Sequence, residues 1–546
     1  MSTVPYESQK MNTRELTTQL LEAHGGAFNN LMHPEGHLEG VLTFGPPGIG
    51  KTQSVMAAAH KIAADNGGEL VIYRPGVRRE PGKNQILFVH MSMAGMTSGG
   101  VLGFPTVSAN DRTQETDTAE QKLEKQRRFV SQQVIPEIWR AGMEFESAIY
   151  LFDEITHVIS QEAMLSLLSE GFYGETQLAK RTLFIATANE GVSDGTLQQK
   201  LSTAFRNRFT SYYIRAEVKQ WREDFANKVV HPALLAYASM YADRLENFKM
   251  PEHNLLNFTS LRGITLMSDD LTYFEARNFR ARSANGIADP RGEMKEDVPM
   301  TAEHEKVLTR LAFGRLGSDA AATDFVNMYS RAYKTVMPEI RKAIAGKFDA
   351  ISPEFKTALA SDSEAALAKQ KAAMAGKSSN EKLRESQQDI AKSFTYVDYA
   401  PRMFLETLEN LPRNPRIKED AKKRFPQKYP GQTWPADDQV PPEMLRAYGN
   451  ALMDHFLKAV MLLPPNLQIV CIHHIRDLGS TQEMKERLKP FENAAGAPGE
   501  ESKMLVVMGL MMNHLTTKRG DPAYDRIYKA FEQNSSAQSV LSGLGV

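Results

Sequence analysis

Cysteine, long apolar runs and an excess of either charge are all lacking in this sequence. Cys471 is the only cysteine among 546 residues, which excludes an internal disulfide framework and favours a reducing, cytoplasmic compartment. The most apolar run, Met504–Met512, is about half as long as a bilayer-spanning helix. We therefore expect a buried helix at this position and no membrane association.

Basic and acidic residues are almost balanced. Lys and Arg total 65, and Asp and Glu total 66, so no overall field attracts nucleic acid or an anionic membrane. The chain is too long for a single core, and its length predicts about two to four folding units. Residues Met1–Arg14 are polar and lack the apolar core of a secretion signal, so we expect a flexible start.

The first half of the chain has the pattern of an α/β fold. Between Val41 and Ile214, short β-rich runs alternate with helical stretches, which is typical of a mostly parallel sheet covered by helices. The turn-rich segment Arg74–Asn84 also allows Leu70–Tyr73 to form a local hairpin with the next strand, and the sequence leaves that register open. The candidate strands are Val41–Phe44, Leu70–Tyr73, Ile86–Met91, Ala148–Phe152, Leu183–Thr187 and Ser211–Ile214.

Helical patterns dominate after Arg215, most clearly at Val218–Leu245, Ser260–Arg277 and Ala302–Lys347. Residues 348–392 contain few large apolar side chains, which indicates a linker or a solvated helix. The predicted division is a flexible N-terminus (1–15), an α/β domain (16–216), a helical domain (217–347), this linker (348–392) and a mostly helical accessory domain (393–546).

A glycine-rich loop directly follows the strand Val41–Phe44. Its residues, which satisfy the phosphate-loop pattern, are Gly45, Pro46, Pro47, Gly48, Ile49, Gly50, Lys51 and Thr52. Glycines let the backbone approach a phosphate, so that loop N–H groups and the N-terminus of the helix near Gln53 face the anion, which makes Gln53 a candidate nucleotide-binding residue as well. Lys51 is expected to reach the β- and γ-phosphates, and Thr52 to bind Mg²⁺. The strand-loop-helix context disfavours a chance glycine turn.

Two carboxylates end another apolar strand. The run Ala148–Phe152 is followed by Asp153 and Glu154, and ligands gather at the carboxyl ends of parallel strands. Asp153 is therefore a candidate magnesium ligand, and Glu154 a candidate base that orients and deprotonates the attacking water. The alternative is that the two acids cap a helix starting at Ile155.

The phosphate loop and the acid-tipped strand resemble the Walker A and Walker B elements of AAA+ ATPases. Leu183–Asn189 is similar to the sensor-1 strand of that family, which implies that Asn189 helps to place the lytic water; the alternative is an Asn turn after a strand. The resemblance covers residues 41–347, and it implies ATP and Mg²⁺ as cofactors and a helical lid at 217–347.

Three candidate arginines follow from this resemblance. Leu201–Phe209 resembles the segment that carries the arginine finger, and we favour Arg208 over Arg206 as the residue that reaches a neighbouring subunit. The alternative is a helix-end arginine in a surface ion pair. Arg262 lies in a segment similar to sensor 2, which implies that it reaches the nucleotide from the lid, although Leu261 stands where such proteins often carry proline. The alternative is a solvated arginine at the start of a helix.

Two loops resemble those of the MoxR-like and midasin-type branch, which has an insertion in helix 2. Met96–Pro105 is similar to that insertion, and Gly171–Arg181 to the hairpin before sensor 1. Both would point toward a central pore, where Val101 and Phe104 would grip a client. The alternative is a pair of ordinary surface loops.

The resemblance implies a MoxR-like AAA+ ring ATPase, a hexamer that remodels or assembles a protein client. A nucleic-acid motor, or a nucleotide-driven subunit of a DNA-processing or restriction-type complex, is one alternative, and a nucleotide-switch scaffold with little turnover is another. The nucleic-acid alternative depends on a basic cluster that also reads as a solvated face. This cluster consists of Arg413, Arg416, Lys418, Lys422, Lys423, Arg424 and Lys428. Cys471, His473 and His474 lack the spacing of a zinc site, so we expect them to be packed in a core.

Overall fold

The structure is a computed structural model in which the chain divides into two compact units. The first comprises Met1–Gln220, Glu246–His253 and Ser260–Arg262, and the second comprises Trp221–Leu245, Asn254–Thr259 and Gly263–Val546. The residues described are 10–28, 37–77, 81–82, 84–95, 104–109, 118–122, 129–157, 164–173, 176–189, 201–246, 259–283, 285–290, 292, 295, 298–360, 381–435, 438–479, 481, 484 and 488. Val101 and the helix expected at Met504–Met512 lie outside them.

The first unit is built around a parallel sheet. The strands are β1 (Lys10–Met11), β2 (His37–Phe44), β3 (Glu69–Ile72), β4 (Gln85–Ser92), β5 (Phe104–Ala109), β6 (Phe129–Val134), β7 (Ser147–Asp153), β8 (Phe172–Tyr173), β9 (Thr176–Gln177), β10 (Arg181–Ala188) and β11 (Thr210–Ile214). Seven of them form one sheet in the order β1-β11-β2-β10-β7-β4-β3, and every neighbouring pair is parallel. The predicted α/β fold with a parallel sheet is confirmed.

Along the chain, helices lie between the strands of this sheet and continue after its last strand. They are α1 (Thr13–Gln19), α2 (Lys51–Asp65), α3 (Glu137–Glu144), α4 (Leu165–Glu170), α5 (Thr203–Arg206), α6 (Val218–Trp221), α7 (Asn227–Val229), α8 (Pro232–Met240), α9 (Ala242–Glu246), α10 (Leu261–Asn278), α11 (Ala302–Leu316), α12 (Asp319–Arg331), α13 (Met337–Ile344), α14 (Pro353–Ala360), α15 (Glu381–Asn410), α16 (Pro415–Lys428), α17 (Pro442–Val460) and α18 (Pro465–Gly479). The predicted predominance of helices after Arg215 is confirmed.

The centre of the sheet is apolar on both faces. Every residue of β10 is buried, as are the five residues inside β7, because strands covered on both faces have no exposed side and read as continuous apolar runs. On one face, the rings of Tyr150, Phe152 and Phe184 pack together with Trp139 of α3. This aromatic core fixes the position of β7 relative to β10.

The carboxyl ends of the three central strands lie side by side. Phe44 at the end of β2 pairs with Ala188 of β10, and Phe152 of β7 pairs with Ala186 of the same strand. The segments that follow these strands therefore begin at one edge of the sheet. They are the glycine-rich loop, the acidic pair and Asn189.

The structure determines the pairing of β3, which the sequence left open, and it places regular structure within the segment expected to be flexible at the N-terminus. β3 pairs in parallel with β4, from Glu69 with Gln85 to Ile72 with Phe88, so the hairpin alternative for this strand is excluded; the connection is long enough for a parallel crossover. Residues 10–15, the described part of the expected flexible N-terminus (1–15), have regular structure. Lys10 and Met11 form an edge strand beside β11, and α1 begins at Thr13 with a capping box between Asn12 and Glu15.

Two antiparallel pairs accompany the main sheet. β8 and β9 form a hairpin within the predicted segment Gly171–Arg181, so the existence of that hairpin is confirmed. β5 and β6 form the other antiparallel pair. β5 begins at Phe104, so it overlaps the end of Met96–Pro105, the segment that resembles the helix-2 insertion. Roles at a central pore remain a prediction for both segments.

The second unit is helical, and α15 is its central helix, in contact with α8, α13, α14, α17 and α18. Most described residues of the predicted helical domain (217–347) and of the predicted accessory domain (393–546) therefore fall into one compact unit, whereas Ser260–Arg262 belong to the first unit. Phe355 and Leu359 of α14 are buried, so this part of the predicted linker packs within the unit. Among the described helices, none combines the length and the apolarity needed to cross a membrane.

Buried charges in the second unit are paired, as burial of a charge requires. The carboxylate of Glu275 accepts a hydrogen bond from Tyr329 (2.8 Å) and lies 3.0 Å from Nε2 of His231. The guanidinium group of Arg222 pairs with the carboxylate of the buried Asp398. Cys471 is also buried, which confirms its predicted packing in a core.

Candidate functional site

The glycine-rich loop has the backbone that only glycine adopts easily. Gly48 and Gly50 have φ angles of 77° and 96°, in the left-handed region that disfavours other residues. A Cβ atom at Gly45 would lie 2.6 Å from the carbonyl oxygen of Ile214, so this position excludes a side chain as well. The loop is therefore a tight backbone turn at whose glycine positions a larger residue would be strained or would collide with a neighbour.

Helix α2 begins directly after this turn. Its N-cap is Gly50, which provides no side chain to accept from the N–H groups of the first turn. Those N–H groups have no partner within the helix, and the helix dipole adds positive potential at the same point. The N-terminus of α2 is thus suited to an anion such as a phosphate.

Lys51, the first residue of α2, bends back over the loop. Its ammonium group donates to the carbonyl oxygens of Gly45 (2.6 Å) and Pro46 (2.9 Å), and to Oδ1 of Asn189 (3.2 Å). The residue is 7% exposed. The structure therefore brings together two predicted site residues, Lys51 and Asn189, that are 138 positions apart in the sequence.

Asp153, at the end of β7, is held through both carboxylate oxygens. Oδ2 accepts a hydrogen bond from the Thr52 hydroxyl (3.0 Å) and lies 3.3 Å from Nε2 of His90, while Oδ1 accepts a hydrogen bond from the Thr187 hydroxyl. The two predicted magnesium ligands, Thr52 and Asp153, are therefore in direct contact.

The carboxyl group of Asp153 is more acidic than that of an ordinary aspartate. Burial by itself raises the pKa of its carboxyl group, but hydrogen bonds from His90, Thr187 and Thr52 outweigh burial and lower the pKa to about 2. The side chain therefore carries a negative charge at neutral pH. A carboxylate beside a hydroxyl is a pair of hard oxygen ligands, which fits Mg²⁺ when substrate phosphates and water supply the remaining ligands.

The ionised form of Asp153 is expected to stabilise the folded protein by about 2 kcal/mol. Because the folded pKa (about 2) lies below the ordinary value of 3.8, this contribution is fully present above about pH 4 and is lost as the pH falls through about 2. The difference in melting temperature between the parental protein and Asp153→Asn should therefore shrink as the pH falls from about 5 to about 2. An unchanged difference over that range would contradict a lowered pKa of Asp153.

Glu154 has an unusual backbone for a residue with a side chain. Its φ angle is 58°, a left-handed conformation that costs roughly 1 kcal/mol for an L-residue. Its N–H group donates to the Thr187 hydroxyl (3.3 Å). The carboxylate of Asp153 accepts hydrogen bonds from Thr52 and Thr187, which lie in other segments, so these contacts do not favour the helix-capping alternative for Asp153.

The candidate arginines differ in their surroundings. The side chain of Arg208 is partly buried and donates to the carbonyl oxygen of Ala204 (2.6 Å) and the hydroxyl of Ser169 (3.3 Å), whereas Arg206 is exposed at the end of α5. The contacts of the described residues bring neither arginine to Lys51 or Asp153. Our preference for Arg208 remains a prediction.

Arg262 lies at the glycine-rich loop, within the first unit. Its N–H group donates to the carbonyl oxygen of Gly48 (3.2 Å), and a Cβ atom at Gly48 would lie 3.3 Å from Cβ of Arg262. The side chain is exposed, as is that of Gln53. The main chain of Arg262 is thus beside the predicted phosphate site, and the role of its guanidinium remains a prediction.

Sequence reasoning missed two residues that contact Asp153. His90 lies near the end of β4, and 42% of its side chain is exposed; a histidine interrupting an otherwise apolar strand was the available signal. Thr187 is 1% exposed and stands two positions before Asn189. For Thr187 the available signal was a small polar residue at the end of a buried strand, but the sequence led us to assign a function to Asn189 only.

The basic cluster of the second unit is largely paired with acids. Lys418 and Lys422 both contact Asp438, at 2.5 and 2.7 Å. Lys423, Arg424 and Lys428 lie 3.0, 2.9 and 3.9 Å from Glu419, Asp420 and Glu443, in that order. Five of the seven basic side chains therefore have a carboxylate neighbour, which supports the solvated-face interpretation over a free basic surface for nucleic acid.

No protein-family model matches the chain, and no curated protein matches its sequence. The seven-stranded, all-parallel sheet with its helices is compatible with a P-loop or AAA+ NTPase-like fold.

Proposed function

We propose that the chain binds a magnesium-bound nucleoside triphosphate at the carboxyl edge of its parallel sheet and hydrolyses ATP there. The observation that carries the proposal is the contact of Thr52 with Asp153 and of Lys51 with Asn189. Each contact joins segments that are more than 100 residues apart. In one contact the cation Lys51 lies beside the polar Asn189, and in the other the metal-binding hydroxyl of Thr52 lies beside the acidic Asp153. Phosphoryl transfer requires groups of these types.

The proposed roles follow from the chemistry of each side chain. The loop N–H groups and the Lys51 ammonium would attract the phosphates, and Thr52 and Asp153 would hold the magnesium ion. The ion, when bound, neutralises phosphate charge. Asn189 would orient a water molecule whose proton the Glu154 carboxylate accepts.

The magnesium ion would be bound together with the nucleotide. Among the described residues, no group of three or more His, Cys, Asp or Glu side chains could hold a metal ion. Magnesium in nucleotide sites takes only about one or two protein oxygens and obtains the rest from phosphates and water. Thr52 and Asp153 meet that requirement.

The first experiment is a phosphate-release assay on the purified chain with ATP, with magnesium or with EDTA in its place. Magnesium-dependent release is the expected result. Nucleotide binding without release would favour the switch scaffold, and stimulation by DNA or RNA that fades steeply with salt would favour the nucleic-acid motor. Failure to take up any magnesium-nucleotide would refute the proposal.

The finer proposal is a MoxR-like AAA+ ring ATPase, hexameric, that remodels or assembles a protein client. Its support is the motif resemblance described above, together with a helix, α10, that begins beside the glycine-rich loop at Leu261. In such a ring, Arg208 would complete the site of the neighbouring subunit, and Arg262 would act from the lid.

Mixing two inactive variants tests the shared site. Arg208→Ala and Lys51→Ala should each lack activity alone, but a mixed ring of equal parts should regain activity, because about one interface in four then pairs an intact loop with an intact arginine. ATP hydrolysis is measured before and after mixing. A parallel mixture with Arg206→Ala identifies which arginine acts in trans, and absence of rescue with both arginine variants would contradict a shared site.

A further inference from the structure

Thr187 lies where the strand that ends at Asn189 passes the acidic pair. In the sheet, β10 is adjacent to β7, and Ala186 pairs with Phe152, so Thr187 is next to Asp153. Its side chain is almost completely buried. None of the roles proposed above involves this residue.

The hydroxyl of Thr187 makes two hydrogen bonds of opposite sense. It donates to Oδ1 of Asp153, and it accepts from the N–H group of Glu154 (3.3 Å). A threonine hydroxyl has one donor and two acceptor positions, so its only proton is committed to the carboxylate. One buried atom thereby fixes the side chain of the first acid and the backbone of the second.

The second of these bonds supports a strained conformation. Glu154 is a non-glycine residue in the left-handed region, and such residues persist where neighbouring groups over-determine them. The backbone of Glu154 sets the direction in which its carboxylate leaves the strand end. Without the partner at Thr187, its N–H group would be free to turn to another acceptor.

We infer that Thr187 is a positioning residue for hydrolysis: its hydroxyl orients the Asp153 carboxylate and holds Glu154 in its left-handed turn. This inference rests on the proposed function. It predicts that loss of the hydroxyl impairs the chemical step, because both acids are then misplaced. Binding of the nucleotide is largely retained, because Lys51 and the glycine-rich loop are unchanged.

The test compares three variants of the full chain. Thr187→Val keeps the shape and removes the hydroxyl, Thr187→Ser keeps the hydroxyl, and Thr182→Val is the matched control. Thr182 is a buried threonine at the opposite end of the same strand, with a hydroxyl that donates to the carbonyl oxygen of Ala179 (2.9 Å). All three are assayed for kcat and KM with magnesium and ATP.

We expect Thr187→Val to lower kcat by about 10-fold or more with KM within about threefold of the parental value. Thr187→Ser should recover kcat to within about threefold of the parental value, and Thr182→Val should stay in the same range. A parental kcat in Thr187→Val, equal losses in Val and Ser, or an equal loss in Thr182→Val would each overturn the inference while leaving the proposed function standing.

Hydrogen exchange on the nucleotide-free protein gives a second readout that needs no activity. Exchange over residues 150–157 should accelerate in Thr187→Val, because the Glu154 amide loses its acceptor, and should be unchanged in Thr182→Val. Unchanged exchange in both variants would overturn the positioning role. If exchange behaves as expected but the parental chain releases no phosphate, the proposed function fails and the structural role of Thr187 is retained.

Discussion

Replacing Glu154 by glutamine is expected to reduce ATP turnover by about 100-fold or more while leaving nucleotide binding intact. Glutamine has the shape of glutamate but cannot accept a proton from water at neutral pH. Binding persists because the contacts of Lys51, Thr52 and Asp153 do not involve the Glu154 side chain. Steady-state phosphate release measures the loss, and titration with a fluorescent ATP analogue measures binding.

Glu170→Gln is the matched control for this experiment. Glu170 is an exposed glutamate at the end of α4, so its replacement makes the same chemical change outside the site. The control should hydrolyse ATP at the parental rate. Parental turnover in Glu154→Gln would remove Glu154 from the role of base, and loss of binding in that variant would show that its side chain holds the nucleotide instead.

The convergence of the site was predictable because it follows from sheet geometry. The apolar runs before Gly45 and Asp153, and the run that ends at Asn189, marked three buried strands, and the carboxyl ends of parallel strands meet at one edge. Thr52 and Asp153 are in contact for this reason. When a phosphate-loop pattern directly follows a strand of a parallel sheet, acids at the end of a neighbouring strand are therefore expected close to the loop.

Features set by few residues or by distant partners were not predictable. β1 contains only two residues, and pairing with β11 holds it in place, so no local pattern marked it. The parallel register of β3 was hidden because its turn-rich connection to β4 also fits a hairpin. His90 interrupts an apolar strand, a position that usually indicates a core histidine, and only its distance of 3.3 Å to Asp153 shows that it faces the site.

Lys51→Ala is expected to weaken binding of magnesium-ATP by about 100-fold or more. The ammonium group is the cation that the structure places over the loop, where it contacts the carbonyl oxygens of Gly45 and Pro46. Its charge would interact with the phosphates in a largely buried setting, where charge-assisted hydrogen bonds are strong. Fluorescence titration or calorimetry gives the dissociation constant.

Lys61→Ala separates this effect from a general loss of positive charge. Lys61 lies further along α2 and is exposed, so its replacement removes the same charge from the same helix at a distance from the loop. Its affinity for magnesium-ATP should stay within about threefold of the parental value, because an exposed charge away from the phosphates is screened by solvent. Equal weakening in both variants would mean that the helix as a whole attracts the anion by its charge. Unchanged affinity in Lys51→Ala would place the triphosphate elsewhere and would remove the basis for assigning Thr52 and Asp153 to magnesium.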